Sequence, residues 1–162
     1  MNYVYRTLNS PLGILTLVGS ERGLAAILWE GEDPACRGGD SIREDVRNPL
    51  LRQAHQELTE YFAGRRRRFT VKLDPSGTEF QNQVWNALRT IPFGETRSYS
   101  QIAQQIGRGN AVRAVGAANG RNPLPIIVPC HRVIGANGTL TGFAGGLTIK
   151  AQLLALERVR AG

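Results

Sequence analysis

The segment Ser98-Tyr99-Ser100-Gln101-Ile102-Ala103-Gln104-Gln105-Ile106-Gly107-Arg108-Gly109-Asn110-Ala111-Val112-Arg113-Ala114-Val115-Gly116-Ala117-Ala118-Asn119 decides how the second half of the chain folds. Ser98 with Gln101 three residues later is a capping box, in which each side chain takes a backbone N–H left open by the first helical turn. Ile102, Ala103 and Ile106 mark one apolar face, and Gly107 stops the helix. Only Arg108, Gly109 and Asn110 separate it from a second helix over Ala111–Asn119. Two short helices joined by a brief turn containing Gly make a helix-turn-helix. The second helix is built from small residues. Val112 and Val115 can pack inward, while Ala114, Ala117 and Ala118 leave the other side nearly bald, with Arg113 standing out of it. Such a face suits close approach to another helix or to a nucleic-acid duplex, and the segment alone leaves both open.

Working outward, Thr78-Glu79-Phe80-Gln81 is another capping box, followed by an apolar stripe at Phe80, Val84, Leu88 and Ile91 that ends at Pro92-Phe93-Gly94. Downstream, Pro123 and Pro125 exclude a helix, so Leu124–Val128 is expected as an extended stretch delivering Pro129-Cys130-His131-Arg132. Gly135–Gly146, with five glycines, reads as a loop, and Thr148–Arg160 as a closing amphipathic helix. The first half differs in kind. Tyr3–Leu8, Ile14–Val18 and Leu24–Trp29 are short strand-like runs between turn clusters, the pattern of an antiparallel meander. Gly31–Arg47 reads as a surface loop. Asn48-Pro49 caps a helix with Leu50, Leu51, Ala54, Leu58, Tyr61 and Phe62 on one face, and Gly64 supplies the stop. After Arg65–Arg68, a solvated charge run, Phe69–Leu73 is expected as a further strand, and Asp74-Pro75-Ser76-Gly77 as a linker. The expectation is an α+β protein of two domains, residues 1–75 and 76–162.

The chain has 162 residues, 41% hydrophobic and 20% charged, ordinary usage for a globular protein. Its longest apolar run, Leu24–Trp29, is far short of a membrane span, and no signal peptide is evident, so a cytoplasmic protein with reduced thiols at Cys36 and Cys130 is expected. The net charge of +7 is unevenly spread. Residues 1–75 carry eleven Lys and Arg against ten acids, whereas residues 76–162 carry nine against Glu79, Glu95 and Glu157 alone. A preference for Arg codons explains Arg over Lys but not the missing acids. A basic second half suits a polyanionic partner, most simply nucleic acid.

A cysteine becomes a nucleophile as its thiolate, and a nearby imidazole favours that form. Adjacent residues do not face each other in regular structure, so His131 reaches Cys130 only through a tight turn or a bridging water. The dipeptide alone is equally a buried structural cysteine beside a packed histidine. His55, His131, Cys36 and Cys130 have no paired ligand spacing, so no metal is expected. Gly138–Gly146 lacks the Lys of a phosphate loop. On these residues alone, a DNA-binding regulator without chemistry and a cysteine hydrolase both remain readings, although no separate His–Asn pair for a hydrolase is present.

Taken together, Pro129-Cys130-His131-Arg132-Val133-Ile134, the upstream Asn122-Pro123, the Arg113 helix and the downstream Gly145-Gly146 resemble the O6-alkylguanine-DNA alkyltransferases, in their short bacterial form. The likeness runs over Thr78–Glu157 almost without gaps. It implies a ribonuclease H-like first domain and a winged helix-turn-helix-like second one. It further implies direct repair of double-stranded DNA carrying O6-alkylguanine, and possible action on O4-alkylthymine, by a monomer without cofactor, each molecule being consumed in one transfer. By the same resemblance Cys130 accepts the alkyl group and His131 acts as a water-mediated base, polarised by Glu157. Asn122 braces the turn, and Tyr99 donates its hydroxyl to the leaving guanine. Arg113 fills the gap left by a flipped nucleotide, on a recognition helix whose Ala114, Ala117 and Ala118, with Tyr99, meet DNA. The backbone at Cys130 and Val133 reads the base, and Phe143, Ala144 and Gly145 close the pocket. Some relatives carry Tyr-Ser where this chain has Phe143-Ala144, which implies altered pocket polarity. Some also bind zinc in the first domain, for which Cys36 and His55 are too few.

Overall fold

The structure of the chain, a computed structural model, describes residues 2–138, 140, 143 and 145–161, with the backbone alone at 40 and 159–161. The chain divides into two compact units, Met1–Ser76 and Gly77–Gly162.

The first unit opens with an antiparallel meander of β1 (Val4–Ser10), β2 (Gly13–Gly19) and β3 (Leu24–Leu28). The first turn is tied by Ser10, whose Oγ donates to the Gly13 carbonyl at 2.7 Å and accepts from Leu12 N–H at 3.1 Å. Gly13 takes φ +102°, a conformation open to glycine at little cost. The stretch read as a bare loop instead holds a one-turn helix α1 (Ala35–Gly38), a 3₁₀ turn (Gly39–Ser41) and a two-residue strand β4 (Arg43–Glu44). β4 pairs parallel to β1, so the sheet runs β3-β2-β1-β4. Helix α2 (Pro49–Phe62) starts as its sequence demands: the Asn48 side chain accepts from Leu51 N–H, and Pro49 fills the first turn. It buries Leu51, Ala54, Leu58 and Tyr61 with Leu15, Leu17 and Ile27 of the sheet.

The strand expected at Phe69–Leu73 does not form; one bridge, Leu24 to Leu73, remains. The reason is Glu57. Its buried carboxylate accepts from the N–H groups of Thr70 (2.9 Å) and Val71 (3.1 Å), from Thr70 Oγ1 (2.6 Å) and from Gln53 Nε2 (3.0 Å). Donors that a ladder requires are thereby engaged elsewhere. The charge run is partly paired as well: Arg66 Nε meets Glu60 Oε1 at 3.0 Å.

In the second unit both expected capping boxes are present, Thr78 with Gln81 at the start of α3 (Glu79–Leu88) and Ser98 with Gln101 at the start of α4 (Tyr99–Gln105). Gly107 follows α4 at φ +76°. Helix α5 (Val112–Gly120) packs against α3 and α4, and Trp85 Nε1 of α3 donates to the Ala118 carbonyl at 2.9 Å. A two-stranded parallel pair joins β5 (Arg97–Ser98) to β6 (Val133–Ile134). The last helix is α6 (Leu147–Ala161). Because β5 runs directly into α4 and β6 directly follows a 3₁₀ turn at Cys130–Arg132, this short pair brings the start of α4 beside the Cys130 turn.

Candidate active site

Leu124–Val128 is not extended. The segment folds into turns, with Val128 N–H donating to the Leu124 carbonyl at 2.9 Å. Asn122 is the cause: its Oδ1 accepts from Leu124 N–H at 3.0 Å and its Nδ2 donates to the Val128 carbonyl at 2.8 Å. The prolines at 123 and 125 offer no N–H to a neighbouring strand, so nothing pulls the segment straight. Ile126, only 1% exposed, holds φ +76°, where a β-branched side chain is a true outlier. Pro129 (φ −80°, ψ +65°) then makes an inverse γ-turn, with Cys130 N–H donating to the Val128 carbonyl at 2.7 Å. The turn brings Cys130 into the interior, 5% exposed. Burial pushes its thiol up to about 11, against the opposing pull of a hydrogen bond from Asn122 and the charge of Lys150. Asn119 adds a long contact from its Nδ2 to the Cys130 carbonyl at 3.4 Å.

His131 is wholly buried, and its Nε2 lies 2.7 Å from Glu157 Oε2 on α6. Its buried Nδ1 makes no hydrogen bond to any described protein atom. Burial lowers the imidazole pKa, the Glu157 carboxylate pulls it up, and the charges of Arg132 and Lys150 lower it further, the net direction being down. Glu157, 1% exposed, is also held by Arg132, whose Nε reaches Oε1 at 2.8 Å and whose Nη2 reaches Oε2 at 3.0 Å. Although burial pushes the Glu157 carboxyl up, the hydrogen bonds of His131 and Arg132 and the guanidinium charge hold it far below the usual carboxylate range. The neighbouring Arg158 is exposed.

Tyr99 is the first residue of α4, half-buried, and Lys150 Nζ lies 6.0 Å from the centre of its ring. Burial lowers the Lys150 pKa, with Cys130 acting the other way. On α5, Arg113, Ala114 and Ala117 are exposed, as the bald face requires. Ala118 is not part of that face. It is 3% exposed, because three residues after Val115 is the same side of a helix as Val115 itself. Val133 is buried, with Arg97 as its strand partner. Phe143 and Gly145 are half-buried, and Ala144 lies outside the described residues. Among the described residues no three His, Cys, Asp or Glu side chains converge to hold a metal ion. Sequence reasoning missed Arg132 and Lys150. The signal for Lys150 was available: one of only two lysines in the chain, it sits seven residues before Glu157, two turns along the same face of α6.

The two units match two family models: residues 3–75 the 6-O-methylguanine DNA methyltransferase, ribonuclease-like domain, and residues 79–159 the 6-O-methylguanine DNA methyltransferase, DNA binding domain. The methylated-DNA–protein-cysteine methyltransferase of Methanosarcina acetivorans is 52% identical over 153 residues, 94% of this chain and 97% of the relative. The chain belongs to the 6-O-methylguanine DNA methyltransferase family. Its fold is that of the Mycobacterium tuberculosis O6-methylguanine methyltransferase crystal structure, with 50% identity, a TM-score of 0.88, and coverage of 99% of this chain and 95% of that one. A crystal structure of the M. tuberculosis OGT in complex with DNA is similar at 49% identity and a TM-score of 0.87, covering 97% of this chain and 94% of that one. In this methyltransferase, Cys130, His131, Glu157, Asn122, Tyr99 and the α5 face all fall inside the segment matched to the family's DNA-binding domain.

Proposed function

We propose that this chain repairs DNA directly, moving an alkyl group from O6 of guanine in duplex DNA to Cys130 Sγ in one irreversible step. The observation that carries the reading is the buried Cys130 thiol next in sequence to the buried His131–Glu157 pair. The neutral imidazole donates its Nε2 proton to Glu157, which leaves the Nδ1 lone pair open to a proton from the thiol through one water. Since the thiol sits at about 11 and the imidazole below its ordinary value, no thiolate waits at rest. The S–H bond breaks as the sulfur–carbon bond forms. The proton goes to His131, the carbon–O6 electron pair leaves with guanine, and guanine takes a proton from the Tyr99 hydroxyl, which solvent restores as His131 gives its own proton up to solvent. The product is a thioether, which has no ready leaving group, so each molecule acts once.

A base within a duplex is out of reach of a buried thiol, and it has to be rotated out at a cost of a few kcal/mol. The exposed face of α5 supports that role, with Arg113 entering the stack while Ala114 and Ala117 allow close approach to the groove. Phe143, Ala144, Gly145 and the Val133 backbone line the base pocket in this reading. The relative crystallised with DNA supports a DNA partner. One chain holds every group the transfer uses, so the working form we infer is a monomer, acting in the cytoplasm. The second unit is the DNA-binding and transfer domain, and the first is its ribonuclease-like companion.

Intact mass after incubation with an O6-methylguanine duplex tests the proposal. A single added methyl that maps to Cys130 is expected. Binding with no mass change points to a regulator without chemistry, and release of product with no mass retained points to a hydrolase.

A further inference from the structure

The Cys130–His131–Glu157 line leaves one strongly held group without an assignment. Arg132, next in sequence to the base, is 5% exposed. Its Nε and Nη2 form a fork on the two oxygens of Glu157 at 2.8 Å and 3.0 Å. Its Nη1 donates to the Ile91 carbonyl at 2.7 Å, and its guanidinium stands 5.7 Å from the centre of the Phe93 ring. Glu157 Oε2 is therefore shared between Arg132 Nη2 and His131 Nε2, and one carboxylate faces two groups able to carry positive charge. We propose that Arg132 is a positioning residue that neutralises Glu157 and so keeps His131 uncharged, with Nδ1 open, until the thiol proton arrives. This rests on the reading of Cys130 as the alkyl acceptor and His131 as its base.

The argument is one of charge in a closed space. A guanidinium stays protonated in proteins, so the Arg132–Glu157 pair is ionic at every relevant pH. That pair already balances. A protonated His131 would add a third charge to a site no more than 5% exposed, where uncompensated charge is strongly disfavoured. Remove Arg132, and the Glu157 carboxylate, no longer neutralised by that guanidinium, would hold the imidazole 2.7 Å away as the imidazolium. An imidazolium has no lone pair at Nδ1 and cannot accept the thiol proton. During transfer the same arrangement works in reverse: a proton reaching Nδ1 creates positive charge 2.7 Å from Glu157 Oε2. Of the charged groups facing the imidazole, the Glu157 carboxylate favours its protonated form and the Arg132 and Lys150 cations oppose it. From α6 come Glu157 and Lys150, and from its own turn Arg132 and the Cys130 thiol. The charged residues of α3 and its C-cap, Glu79 and Arg89, are both exposed.

The test is imidazole NMR on the full chain labelled at histidine, which has only two signals to assign, His55 and His131. In the wild type His131 is expected neutral, with the proton on Nε2, across about pH 6 to 8, the range in which an ordinary histidine titrates. In Arg132→Gln its midpoint should rise by at least about one unit, a tenfold change in protonation. Methyl transfer to Cys130 should then fall below the new midpoint, by about tenfold for each pH unit beneath it, and recover as the pH is raised through it. Arg132→Lys, which keeps the charge, should retain the wild-type midpoint. A folded Arg132→Gln protein with an unmoved His131 midpoint, or one slowed equally at every pH, overturns the proposal in favour of a purely structural arginine. Should Arg132→Gln not fold, the wild-type titration decides: an imidazolium at pH 7 overturns the proposal and a neutral ring upholds it. Absence of methyl on wild-type Cys130 would instead defeat the reading beneath it, a result the NMR measurement does not depend on.

Discussion

A cysteine buried to 5% exposure and pushed to about 11 is poorly suited to attack unless its surroundings intervene at the moment of reaction. Two side chains act in that direction at rest, Asn122 by hydrogen bond and Lys150 by charge. Cys130→Ser should abolish alkyl transfer while binding to alkylated duplex persists, since the exposed α5 face is unchanged. Fluorescence anisotropy and intact mass read the two halves of that statement, and methyl recovered on Cys36 would contradict it. Lys150→Met removes the cation and should raise the thiol pKa further, so the pH–rate profile moves upward and the rate at pH 7 drops by about tenfold for each unit. Stability should change little, because the lost ammonium was itself desolvated. A profile that stays in place under Lys150→Met would remove Lys150 from the electrostatics of the site. At this scale the sequence was legible where a motif carried it. Cys130, His131, Glu157 and Asn122 came from a family likeness rather than from spacing. The fork of Arg132 on Glu157 joins residues 25 apart, and no local pattern signals it.

Among the elements, α5 does the most. Its exposed side is Arg113, Ala114 and Ala117, and its buried side is Val115, Ala118 and Asn119. Arg113→Ala should slow repair in duplex DNA far more than reaction with free O6-methylguanine, which needs no rotation out of a stack. Equal losses on both substrates would assign Arg113 to catalysis or folding. Ala118→Leu is expected to act quite differently. It overpacks a buried site and should destabilise the fold by ~1–3 kcal/mol, read as a lower melting temperature. Helices and their caps were legible because the information is local: Thr78 with Gln81, and Ser98 with Gln101, lie within a single turn. The misread stretches are those where a side chain from elsewhere captures the backbone. Glu57 takes the donors of Thr70 and Val71, and Asn122 folds Leu124–Val128 around an isoleucine in the left-handed region, a conformation that β-branched residues shun.

Over the whole molecule, both units rest on a buried carboxylate held below its ordinary pKa. For Glu57, burial acts upward, but hydrogen bonds from Thr70, Gln53 and the Val71 backbone outweigh it. A carboxyl depressed in the folded state contributes stability in full above its unfolded value, near 4.5, and loses it as the pH falls through the folded value. Acid unfolding followed by circular dichroism should therefore set in below about pH 4.5, and Glu57→Gln should be less stable at pH 7 by about 1–3 kcal/mol. A Glu57→Gln protein with unchanged neutral stability and an unchanged acid transition would show that the contacts of Glu57 contribute nothing. The contrast between the two thiols carries a last consequence, one of shelf life. A protein that reacts once must reach its target with its sulfur unspoiled, and a thiol that burial pushes up to about 11 stays protonated at neutral pH. Cys36, by contrast, is exposed. Iodoacetamide or peroxide applied to the native protein should mark Cys36 and spare Cys130 until the chain is unfolded, as peptide mass mapping would reveal. Comparable labelling of both would mean that Cys130 stands unguarded. On this reading, the depth that makes the thiol a reluctant nucleophile also preserves it from oxidants and stray electrophiles for its single use.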